Sequence, residues 1–108
     1  MVLVVATIIF PHAKSSEVAK KNMELIRKYP TDPSIGKVLI IGVRATLEGM
    51  KVFAVGEAKK GKVEDFMSHL VKLYQEYTDL EGYRYEIELY FDVTEAYKVL
   101  GMEAPSQE

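Results

Sequence analysis

The side chains best suited to chemistry fall in or beside strand-like segments of the sequence: Thr7, His12, Arg44, Glu57, Glu86, Glu88 and Tyr90. Glu86 and Glu88 stand two residues apart. On an extended strand that spacing points both carboxylates to one face. Such a pair is a candidate general base and its partner. Arg44, Glu57, Thr7 and Tyr90 are the candidate ligand-binding groups around that pair. His12 follows an apolar run beside Pro11, and an imidazole titrates nearest neutral pH, so it joins Glu86 and Glu88 as a candidate general base. A competing reading uses the same residues: outward charges on an edge strand guard it against pairing, or form ion pairs across an interface. His12 is then a surface loop residue.

Other candidates are weaker. His69 shares a helical face with Lys62, Asp65 and Lys72 and is expected in solvent. With 2 histidines far apart, no metal-ligand spacing exists, and neither a metal nor a cofactor is expected. Lys14-Ser15-Ser16 brings a cation, hydroxyls and free N–H groups to a helix start, which would suit a phosphate or carboxylate. Ordinary capping explains the same residues.

Several function classes can be struck out. The chain has 108 residues, no cysteine, 14 Lys+Arg against 16 Asp+Glu and a net charge of −2. Without cysteine there is no disulfide, thiolate nucleophile, Fe–S cluster or Cys-ligated zinc. A slightly acidic chain lacks the counterion-release term behind most nucleic-acid affinity, so no nucleic-acid partner is expected. Phe53 alone does not make the aromatic platform of an RNA-recognition motif. The N-terminal apolar run is far shorter than the roughly 20 residues that span a bilayer and lacks a basic flank. A cytoplasmic protein with no membrane partner is therefore expected. Asn22, Gln75 and Gln107 are the only side-chain amides, a bias that points to a thermophilic source.

The elements that must position these groups follow from periodicity. Val2 to Phe10 is a β-branched run, the pattern of a strand covered on both faces. Ser15 and Ser16 start a helix that carries Val18, Asn22, Leu25, Ile26 and Tyr29 at helical spacing and stops before Pro30. Lys37 to Thr46 and Met50 to Lys59 read as strands around a Leu47-Glu48-Gly49 hairpin. A second amphipathic helix carries Val63, Phe66, Met67, Leu70, Tyr74 and Tyr77 on one face. Tyr83 to Val93 alternates as a last strand, and Thr94 is expected to cap a short helix over 95–100. The order β-α-β-β-α-β predicts a ferredoxin-like α+β domain: a four-stranded antiparallel sheet, strand order 4-1-3-2, with both main helices on one face. One domain is expected over 1–101, with a tail over 102–108.

Alternation splits each strand between the two faces of that sheet. Leu39, Ile41, Val43 and Ala45 form one set with Val52, Ala54, Gly56 and Ala58 and with the odd positions 83–93, and are expected under the helices. Val38, Ile40, Gly42, Arg44, Lys51, Phe53, Val55, Glu57, Arg84, Glu86, Glu88 and Tyr90 face the other way; strand one adds either Leu3, Val5, Thr7 and Ile9, the preferred set, or its other four residues, which are equally apolar. About seven large apolar side chains on that open face, at roughly 1.5–3 kcal/mol each, represent roughly 10–20 kcal/mol of burial. That rivals the whole net stability of a domain. Such a patch is expected to be covered, most economically by a second copy in a two-fold homodimer or higher oligomer.

The element order, and the stretch Tyr85-Glu86-Ile87-Glu88-Leu89-Tyr90-Phe91-Asp92-Val93-Thr94-Glu95-Ala96, resemble the dimeric α+β barrel superfamily, in which two ferredoxin-like sheets meet face to face. That resemblance implies a small ligand or partner held between packed sheets. It also implies, as the alternative, a cofactor-free enzyme of monooxygenase or isomerase type with its pocket on the open face. The superfamily hosts both, as well as effector domains of regulators, so fold alone does not choose.

Overall fold

The computed structural model describes residues 1–105. The β-branched run becomes the central strand β1 (Val2–Phe10), flanked on one side by β3 (Met50–Ala58) and on the other by β4 (Arg84–Phe91). β2 (Gly36–Ala45) pairs with the outer edge of β3, giving the order β2-β3-β1-β4 with every pairing antiparallel. The helices α1 (Ser15–Lys28) and α2 (Val63–Gln75) pack on one face, and a short α3 (Val93–Val99) follows β4. The chain thus folds as a ferredoxin-like α+β domain, as its element order predicts. Of the expected tail, residues 106–108 lie outside the described residues.

The core sits where β1 meets the helices. Val4, Ala6, Ile8 and Phe10 of β1 are buried with Leu25 of α1, Phe66, Leu70 and Tyr74 of α2, and Tyr77. Gly56 is needed there, since a Cβ would lie 2.8 Å from the Phe66 ring. Tyr77 and Tyr83 stack with ring centroids 4.7 Å apart, and Tyr74 meets Tyr85 at 5.3 Å. Burial pushes the Tyr77 phenol up to about 12. These tyrosines are core, as their spacing implies. The hairpin between β2 and β3 closes through Thr46, whose N–H donates to the Gly49 carbonyl. Gly49 has φ +154°, and a Cβ there would approach the Phe10 carbonyl oxygen to 2.4 Å.

Both expected caps are corrected. The chain enters α1 through a 3-10 turn (His12–Lys14), Lys14 takes the N-cap position, and no side chain caps the helix. The Ser15 hydroxyl donates to the His12 carbonyl (2.8 Å) instead of accepting from an N–H. On α3 the cap is Asp92, not Thr94: its carboxylate accepts the Glu95 N–H at 2.8 Å. That bond holds the Asp92 carboxyl below its usual range. The Met1 ammonium lies 3.1 Å from Glu95 and 3.6 Å from Asp92, tying β1 to α3.

A second correction concerns β2. Its register on β3 shifts between Val38 and Ile40, leaving Leu39 as the extra residue of a bulge. Ile41, Val43 and Ala45 keep their expected side, opposite Ala54, Val52 and Met50. Before the bulge the sense reverses: Val38 pairs with Gly56 and belongs to the helix side, and Lys37 joins the open face opposite Glu57. One inserted residue exchanges the two faces of everything beyond it.

Candidate functional site

The register places the candidate residues on the open face in four rows that run across the sheet from β2 to β4. The first row is Arg44, Lys51, Ile9 and Arg84, and the second is Gly42, Phe53, Thr7 and Glu86. The third is Ile40, Val55, Val5 and Glu88, and the fourth is Lys37, Glu57, Leu3 and Tyr90. Cations gather at one end, acids along β4, and apolar side chains fill the middle. The Phe53 ring lies across Gly42, where a Cβ would be 2.3 Å from it.

Glu86, Glu88, Thr7, Tyr90, Glu57 and Arg44 therefore share a face, but they do not converge. Arg44 and Glu86 lie on opposite edge strands, three strand spacings or roughly 14 Å apart. Glu57 is separated from Tyr90 by Leu3. The direct contact within the group is Tyr90 Oη donating to Glu88 Oε2 at 3.0 Å. This bond, and then the charge of Glu88, holds the Tyr90 phenol above its ordinary value. Glu86 and Glu88 are exposed.

His12 sits apart from the carboxylates. It is exposed in the 3-10 turn, with Nε2 2.7 Å from the Thr46 carbonyl, so it latches that turn to the β2–β3 hairpin. Among the described residues no group of three or more His, Asp or Glu side chains could hold a metal ion. No helix there is long and apolar enough to cross a membrane.

A cavity of about 540 Å³ opens on the other side of the sheet. Its floor is Val38, Ile41, Val43, Val52, Ala54 and Gly56, and its walls come from α1 and α2. Neither this cavity nor a second one, at the end of the sheet beside Met1 and Phe91, is lined by Glu86, Glu88 or Arg44.

His69 lines the cavity, which corrects its expected exposure. The ring is partly buried and stacks on Phe66 with centroids 6.5 Å apart and an interplanar angle of 7°. Burial pulls the imidazole below its ordinary value. Its Nε2 is shielded from solvent and has no hydrogen-bond partner among the described residues. The signal was present in the spacing. His69 is three residues after Phe66 and four before Leu73, so it borders the buried face as closely as the polar one.

The fold and these two faces define a ferredoxin-like α+β domain with an uncovered sheet, and a solved structure shares that fold. The chain superposes on a de novo designed protein, Foldit4, with a TM-score of 0.55 at 13% identity, covering 84% of this chain and 96% of that one. It is similar, at a TM-score of 0.48 and 7% identity, to a formyltetrahydrofolate deformylase from Pseudomonas putida KT2440, over 82% of this chain and 28% of that one. A candidate monooxygenase from Shewanella loihica PV-4 matches with a TM-score of 0.44 at 18% identity, over 83% of this chain and 90% of that one. No family model matches the sequence, and no curated protein matches it either. The likeness to the designed protein speaks to the fold alone.

Proposed function

We propose that this chain is a self-associating domain in which a second copy covers the open face of the sheet. The observation that carries this reading is the apolar centre of that face: Ile40, Phe53, Val55, Val5, Leu3 and Ile9 in adjoining rows, with Ile40 56% and Phe53 43% exposed. Side chains of this size are worth roughly 1.5–3 kcal/mol each when removed from water, and a monomer seldom leaves so many contiguous.

An isologous contact brings the acids of β4 near cations of the second copy, at the cost of one cationic row that meets itself. A two-fold axis running along the strands lays β4 of one copy over β2 of the other. Each row then lies over its own copy, so Glu86 and Glu88 fall beside Arg44 and Lys37 of the second copy, while Arg84 falls over Arg44. Charges stranded in an apolar seam are costly unless paired in this way. In such a dimer the sheet acids act in assembly, and any ligand held between the sheets needs residues from both copies.

Sedimentation equilibrium at micromolar concentration tests the proposal. The expected mass is twice that of one chain, falling to one chain in Phe53→Glu with the circular dichroism spectrum unchanged. A wild-type protein that is folded and sediments as a single chain overturns it.

A further inference from the structure

The two edges of the sheet are guarded differently. β4 carries Arg84, Glu86 and Glu88 along its length, the kind of charges that keep an edge strand from adding another. β2 has no charged residue and no proline between positions 38 and 43, a short uncharged β-prone window of the kind that pairs with copies of itself. Ile40, Ile41 and Val43 are 56%, 60% and 62% exposed. The face-to-face contact proposed above takes in Ile40 but leaves Ile41 and Val43 bare, since these lie on the helix side, opposite Ala54 and Val52.

The backbone fixes which polar groups this edge offers. The Thr46 N–H donates to the Gly49 carbonyl at 2.8 Å and closes the hairpin. In an antiparallel ladder, hydrogen-bonded and non-hydrogen-bonded pairs alternate. Counting back from Thr46, Arg44, Gly42 and Ile40 turn their N–H and C=O toward β3, and Ala45, Val43 and Ile41 turn theirs outward. The bulge at Leu39 ends that regular stretch. The outward groups are symmetric about Val43. We infer that β2 pairs antiparallel with β2 of a second copy about a two-fold axis at Val43, joining the two sheets edge to edge. Val43 then stands opposite its own copy, Ile41 opposite Ala45 and Gly42 opposite Arg44, so apolar side chains meet on the helix side and no like charges are directly opposed. Roughly six backbone hydrogen bonds form across the axis. One strand pair buries less than the roughly 1,200 Å² of a stable interface, so pairing is expected at about 0.1–1 mM, above the micromolar range of the face contact.

The test follows amide hydrogen exchange by NMR in the full chain, as wild type and as Phe53→Glu, at about 20 µM and about 1 mM. The amides of 41, 43 and 45 should exchange freely in dilute solution and slow by about two- to fivefold when concentrated, the protection that such an affinity allows. Those of 40, 42 and 44 should stay protected throughout. A concentrated mixture of labelled and unlabelled chains should give a nuclear Overhauser effect between Val43 side chains. Phe53→Glu should leave these signals in place, because the edge lies outside the face seam and either contact can fail without the other. Val43→Lys sets two ammonium groups at the axis and should return the amides to free exchange in concentrated solution. Val43→Pro removes an outward N–H and no bond to β3, and should do the same. Exchange at 41, 43 and 45 that ignores concentration overturns the inference. So does protection that grows along 84–91 instead, or that survives in Val43→Lys.

Discussion

β1 and β2 are both rich in branched aliphatic residues and meet opposite fates. Each presents branched aliphatic side chains to the helix side, yet Ile8 of β1 is 5% exposed whereas Ile41 of β2 is 60% exposed. Position in the sheet makes the difference. β1 is central, with a strand on each side and Phe66, Leu70 and Tyr74 above it. β2 is an edge that α1 leaves bare, while the polar ties of α1 run to Glu76, Tyr77 and Asp79 just past the end of α2. Hydrophobic sequence is therefore spent on stability at the centre and remains available for recognition at the margin.

The largest expected effect tests that contrast directly. Ile8→Ala removes fully packed methyl groups and should cost about 2–5 kcal/mol. Ile41→Ala removes exposed ones and should stay within about 0.5 kcal/mol. Urea unfolding of both variants measures the gap, and equal losses would mean that α1 covers β2 in solution. A middle-sized effect lies where the two regions touch. Gly49→Ala places a Cβ against the Phe10 carbonyl at a positive φ, and should destabilise the hairpin by about 1–3 kcal/mol. Amide hydrogen exchange should rise at 46–50 more than in the centre of β1.

The smallest effect is one of pH. Burial depresses the His69 pKa, so the unfolded chain takes up the proton first. The contribution of His69 to stability is complete above its unfolded value of about 6.5 and is lost as pH falls from there through the folded value. His69→Phe should flatten the stability–pH curve in that window. An unchanged slope would place the ring in solvent and weaken the distinction between a closed centre and an open margin.

Much of this architecture was legible because it depends on local rules. The β-branched run of β1, the apolar stripe of Phe66, Leu70 and Tyr74 on α2, and the hairpin at Gly49 each follow from spacing, and their order leaves one simple right-handed topology. The candidate polar residues were likewise placed correctly on one face, since alternation within a strand is a local property. Alternation failed at Leu39. A bulge inserts a residue without any required composition, so nothing near Val38 announced that Val38 and Lys37 exchange sides. The cap of α3 also escaped, because Asp92 and Thr94 are both good N-cap residues and only the path out of β4 selects between them.

What sequence alone determined is the set of elements and the identity of the residues each turns inward or outward, since backbone periodicity operates over a few neighbours. Tertiary structure decided how far apart those residues end up. Arg44 and Glu86 share a face but lie on opposite edges, His12 is held by a hairpin carbonyl, and His69 is partly buried against Phe66. Those separations depend on pairing and helix placement between segments distant in the chain, where no local spacing carries the information.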